Sequence, residues 1–176
     1  MKKFWFLFST LVFAIGLTAC AGETEESSES QNTGSEETAT EEGADKEQNV
    51  KSAMMQFYMA TSKVINENDR DLNAYEASEE EPTSEMKASA EASAKAVVEG
   101  LKTIEISEEL ADQKADLESA LEDLTESYQM KAEELAKDAP SLDAANETFT
   151  QADEKIGKVF EAVGLNPSSL GTEVNG

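Results

Sequence analysis

The chain has no histidine, a single cysteine, a single tryptophan and a single arginine, and each scarcity removes a class of chemistry. Without histidine there are no zinc sites of the usual kind, no Ser-His or Cys-His nucleophilic pair and no haem held by an imidazole. Nucleic-acid binding is excluded as well. Neutralising phosphates takes lysine and arginine, whereas here 14 basic residues face 38 acidic ones in 176, a formal net charge of -24. Neither a GxxxxGK[ST] phosphate loop nor a GxGxxG turn occurs, and no cofactor is implied. Carboxylates are abundant, but an acid and a base need a pocket that separates their pKa values. The sequence shows no such pocket, so the chain reads as a non-enzyme.

The N-terminus has a different composition. Met1-Lys2-Lys3 is a short positive start, and Phe4 to Gly16 is an uncharged run of 13 residues ending near small side chains. As a helix this run rises only about 20 Å, short of the roughly 30 Å needed to span a bilayer core. It has the layout of a cleaved secretory signal. Directly after it, Leu17-Thr18-Ala19-Cys20 places the only cysteine of the chain where a lipidation motif requires one. The segment resembles the lipobox of bacterial lipoproteins. That resemblance implies removal of residues 1–19, diacylglycerol modification of Cys20 and Cys20 as the mature N-terminus. The acidic spacer that follows is similar to those of Gram-positive lipoproteins, which implies a place on the outer face of the cytoplasmic membrane. Two acyl chains give the stable anchorage that one does not, so membrane is the first expected partner.

Ala21 to Asp45 holds nine acidic residues among Ser, Thr and Gly, with no basic residue and no apolar side chain larger than alanine. Nothing in it can be buried to offset the entropy of ordering, so residues 20–46 are expected to be a lipidated Cys20 followed by a disordered tether. Such a chain spans about 25 to 30 Å, more where like charges repel.

From residue 47 to 165 apolar residues recur at intervals of three and four, in four segments. The first uses Val50, Met54, Phe57, Tyr58, Thr61, Val64 and Ile65, and the sevenfold series Tyr58, Ile65, Leu72 extends it toward Tyr75. The second follows Pro82-Thr83 with Met86, Ala90, Ala94, Val97, Leu101 and Ile104; Gly100 marks its end, because glycine costs about 1 kcal/mol in a helix. The third, with Ser107 as N-cap, carries Leu110, Lys114, Leu117, Leu121, Leu124, Tyr128 and Leu135. The fourth, with Ser141 as N-cap, carries Leu142, Ala145, Phe149, Ala152, Ile156, Val159 and Val163 and stops at Gly164-Leu165. Short connections and no alternating pattern predict an all-α, antiparallel up-down-up-down four-helix bundle. Residues 166–176 have little to bury and are expected to be a flexible tail.

Few residues break this pattern with chemistry of their own. Asp69-Arg70-Asp71-Leu72-Asn73-Ala74-Tyr75 and Glu80 have the spacing of an EF-hand loop, which offers oxygen ligands to calcium. Ala74 stands where that loop needs glycine, Glu76 where an apolar residue follows, and helical periodicity through Leu72 and Tyr75 competes with a loop. A solvated acidic helix end is therefore the reading for 69–80, with no metal assigned. Lys114 lies on the third stripe as a snorkelling side chain. Thr61 and Asn68 are polar residues on the seam, and Met54, Met55 and Phe57 are core filling. These features together point to a lipid-anchored, non-enzymatic protein that contacts an envelope protein or a cell-wall component. The alternative is a divalent-cation or small-solute binder using Asp69 to Glu80.

Overall fold

The computed structural model describes residues 37–79 and 81–174. The signal segment, Cys20, the first part of the tether and Glu80 lie outside the described residues. Six α-helices and one 3-10 turn make up the rest, with no strand among the described residues: α1 (Glu37–Asn68), α2 (Arg70–Glu76), α3 (Ser84–Leu101), the turn (Glu108–Leu110), α4 (Lys114–Leu135), α5 (Asp143–Ala162) and α6 (Leu170–Val174). Helix α4 is central and packs along both α5 and α3, while α3 also supports α1 and α2. No described helix is long and apolar enough to cross a membrane.

The apolar stripes form one continuous core. Met54, Ile65, Leu72, Val97, Leu117, Leu124, Ile156 and Phe160 are fully buried, and each such side chain contributes roughly 1.5 to 3 kcal/mol by leaving water. Tyr58 meets Phe160 edge to face at 5.2 Å, joining α1 to α5. Thr61, a seam residue, is wholly buried but satisfies its hydroxyl on its own helix by donating to Phe57 O at 2.9 Å. Asn68 does the same, its Nδ2 donating to Val64 O at 2.7 Å.

The long first segment is divided at Asp69. In an unbroken helix Leu72 N donates to Asn68 O. Here the hydroxyl of Ser93 on α3 stands between them, donating to Asn68 O and accepting from Leu72 N at 3.4 Å. An inserted side chain of this kind is an established cause of a helix break. The flanking rungs survive, Asp69 N to Ile65 O at 2.9 Å and Asn73 N to Asp69 O at 2.8 Å, so the chain continues into α2 with Leu72 still in the core. Gly100 lies further along the same α1–α3 contact. A β-carbon there would fall 2.5 Å from Val64 Cγ1, so glycine is what permits the close approach.

Several expectations are corrected. Helix α1 starts at Glu37, ten residues inside the span expected to be a tether; the segment continues an established helix, so each added residue gains a backbone hydrogen bond without a new nucleation step. Residues 43–49 are exposed and Gly43 has only open space around it. Ser107 does not cap α4: it precedes the 3-10 turn and donates to the Glu109 carboxylate. The turn shifts the helical phase, so Lys114 is the first residue of α4, exposed and paired with Glu118 at 3.7 Å, and is not on the seam. Ser141 likewise is not the cap of α5; Leu142 holds that position and Ser141 Oγ donates to Asp143 at 3.2 Å. Met55 is 40% exposed and so does not fill the core as Met54 and Phe57 do.

Within the expected flexible tail, the described residues up to Val174 are folded. Helix α5 ends in a Schellman arrangement: Gly164 at φ 74°, its N–H on Glu161 O at 3.0 Å, and Leu165 N–H on Phe160 O at 2.9 Å. The chain then turns back, and Leu170 and Val174 of α6 enter the core. Asp153 receives Leu170 N at 2.6 Å and Ser169 Oγ at 2.8 Å, and Tyr58 OH donates to Ser169 O at 3.1 Å. These tethers come from side chains distant in sequence, which local composition does not reveal.

Two substitutions test this packing. Gly100→Ala improves helix propensity yet overpacks the α1–α3 contact, and is expected to destabilise the protein by about 1 to 3 kcal/mol in urea unfolding; adding Val64→Ala makes room for the new methyl group and recovers part of that loss. Leu170→Ala is expected to cost about 2 kcal/mol or more, whereas a free tail would leave the unfolding midpoint unchanged.

Candidate functional site

A groove of about 580 Å³ opens where α2, α4, α5 and α6 meet. Its inner wall is built around one buried cation. Lys131 on α4 is only 4% exposed, a rare place for lysine. Its ammonium pairs with Glu76 Oε1 of α2 at 2.7 Å and lies 5.4 Å from the centre of the Tyr128 ring. Both contacts offset desolvation, the first by charge and the second through the ring quadrupole. Tyr128 in turn meets Phe149 of α5 edge to face at 6.2 Å, which sets the apolar part of the groove.

Behind this wall lies Asp69, 1% exposed at the junction of α1 and α2. Its Oδ2 finds no hydrogen-bond partner. Burial pushes its carboxyl above the usual carboxylate range; the Asn73 amide, its own backbone N–H and the Lys131 charge pull the other way, and Glu76 adds to the rise. Tyr128 is held neutral far above the usual phenol range, first by burial and then by the negative charges of Asp69 and Glu76 and its hydrogen bond to Asp69. The cluster is thus a coupled polar network around Lys131.

The opposite side is supplied by α5 and the returning chain. Asp153, which anchors α6, and the exposed Asn146 and Thr150 share one face of α5, with Gly171 of α6 beside them. Thr150 Oγ1 donates to Asn146 O at 2.9 Å, and Asn73 Nδ2 donates to Val174 O at 3.1 Å, joining α2 to α6.

Over its described residues, the EF-hand-spaced segment from Asp69 does not form a ligand loop. Residues 70–76 are helical, so Asp71 and Asn73 project about 200° apart and do not converge. Asp69 is turned inward, Asp71 outward beside Arg70 at 3.3 Å, and Asn73 toward the groove. No three carboxylates gather into a cation site among the described residues. The segment does reach the groove, through Asn73 and Glu76.

Sequence reasoning missed Lys131. A signal was present: the α4 stripe steps from Tyr128 to Leu135, and Lys131 occupies the intervening core position, three residues after one and four before the other. Tyr128 was legible as core, but its polar neighbours come from α1 and α2 and were not. No protein-family model, curated protein or solved structure matches the chain.

The Asp69 environment predicts a pH dependence. Because the folded chain raises its pKa, Asp69 contributes stability that is complete below the unfolded carboxylate value and is lost as pH rises through the folded value. Asp69→Asn, neutral at every pH, is therefore expected to melt higher than the parent at pH 7, with the difference closing as pH is lowered below the folded pKa. A difference that grows on acidification would contradict this assignment.

Proposed function

We propose that this protein is a lipid-anchored, extracytoplasmic lipoprotein that performs no chemistry of its own and presents a helical domain to an envelope protein or a cell-wall component. The observation that carries this reading is Leu17-Thr18-Ala19-Cys20 immediately after the apolar run, with the only cysteine of the chain at the modification position. The acidic stretch after it suits a tether, since a surface of this charge is repelled by anionic headgroups and attachment falls to the anchor. The domain is proposed to be an antiparallel up-down-up-down bundle of the four long helices. Contacts between opposite ends support it: Ser93 and Gly100 of α3 against Leu72 and Val64, Lys87 of α3 donating to Lys137 O, and Ser127 and Lys155 bonding Ala145 O and Ser119 across α4 and α5.

The polar residues of the groove support a binding role over catalysis. Lys131 and Glu76 neutralise one another, and Asp153 is occupied in holding α6, so none stands as a free base beside a nucleophile. A second reading, small-solute binding through the segment from Asp69, is favoured by one observation: Asn73 and Glu76 of that segment line the groove.

Fractionation of producing cells tests the first reading. The parent chain is expected in the membrane fraction, with an N-terminal peptide beginning at Cys20 and carrying the mass of a diacylglycerol group, and Cys20→Ala is expected to release the protein. A parent chain found free, or cut elsewhere, overturns the anchor. Crosslinkers along the polar faces of α1 and α4 in the same cells then identify the envelope contact.

A further inference from the structure

We propose that the groove between α2, α4, α5 and α6 holds a small organic cation that carries N–H donors, a primary amine or diamine. This rests on the second reading above, that the groove is a ligand site. At about 580 Å³ it lies within the range of small-molecule sites, roughly 300 to 1,000 Å³.

The class of ligand follows from which hydrogen-bonding capacity remains on the walls. Asn73 gives an amide proton to Val174 O and keeps its carbonyl oxygen toward a ligand. Thr150 gives its proton to Asn146 O, which leaves lone pairs. Glu76 commits Oε1 to Lys131 and keeps Oε2. Asp153 receives two bonds from the α6 segment and retains acceptor capacity. The donors are the amide of the exposed Asn146 and the Lys131 N–H groups beyond its bond to Glu76, so acceptors, two of them carboxylates, outnumber donors on the walls.

Charge points the same way. Glu76 and Asp153 line the groove against the single cation Lys131, which is itself paired with Glu76. With that pair neutralised, an incoming anion meets the Asp153 carboxylate and no free positive charge. An ammonium group meets acceptors, a negative field from a chain of net charge -24 that concentrates cations, and the Phe149 ring for its methylene groups.

The test is calorimetric titration of the full chain, purified in mild detergent, with 1,4-diaminobutane, tetramethylammonium, succinate and calcium. Thr150 and Asn146 are exposed on the groove face of α5, so Thr150→Trp and Asn146→Trp plug the groove without altering core or charge; thermal melts confirm that the variants fold. Saturable binding of 1,4-diaminobutane, weakened at least about tenfold by either plug and at least as much weaker for tetramethylammonium, which has no N–H, is the expected result. Equal uptake by parent and plugged variants means diffuse attraction to an acidic surface and overturns the proposal. Succinate or calcium bound instead, and blocked by the plugs, overturns the ligand class but keeps the groove as a site. Saturation by no probe overturns both.

Discussion

The hydroxyl of Ser93 in the rung between Asn68 and Leu72 is the contact on which the rest of the arrangement depends. It satisfies both backbone groups of a rung that would otherwise be left open in a buried place, where an unmade hydrogen bond costs about 1 to 3 kcal/mol. With that rung replaced, α2 separates from α1 and packs chiefly on α3, and Asp69 is turned inward at the break. Beyond the break, Asn73 and Glu76 of α2 reach α6 and Lys131. One small side chain on α3 thereby decides where the polar cluster forms. Gly100, two turns further on, lets the same pair of helices come close enough for the hydroxyl to reach.

The interior and the surface obey different electrostatics. Most ion pairs of the described residues join neighbours on one helix at the surface, such as Lys95 with Glu91 and Lys102 with Glu99. Pairs of this kind stabilise a helix by about 0.3 to 0.5 kcal/mol each and mainly keep the domain solvated. Lys131 with Glu76 is of another kind. Its ammonium is out of water, and a buried pair specifies geometry more reliably than it adds stability. The Tyr128 ring, the buried Asp69 carboxyl and the partly exposed Glu76 carboxylate share the task of accommodating a single cation.

The returning chain shows how a short, polar segment becomes ordered. Leu170 and Val174, four residues apart, supply one turn of apolar contact, too little to hold a helix alone. Asp153 and Tyr58 supply the remainder through hydrogen bonds to the backbone and side chains of 168–170. Closing the tail over α1 and α5 also completes the groove, since Gly171 forms part of its rim.

What the sequence by itself determined is the helical class, the four apolar stripes and the stops at Gly100 and Gly164, because periodicity and glycine chemistry act over a few residues. Phe149, Ala152, Ile156, Val159 and Val163 lie buried along α5 as their spacing predicts. Capping was less legible: Ser107 and Ser141 are good N-cap types, but the carboxylates of Glu109 and Asp143 compete for their hydroxyls. Only the tertiary structure decided that α1 breaks at Asp69, that 170–174 folds back and that Lys131, Glu76 and Asp69 meet in one cluster. Each of these depends on a partner supplied by another helix, 21 residues away for Leu72 and Ser93, 55 for Glu76 and Lys131, and 111 for Tyr58 and Ser169. Pattern along the chain reports which face of a helix is apolar; it does not report which face of which other helix will lie against it.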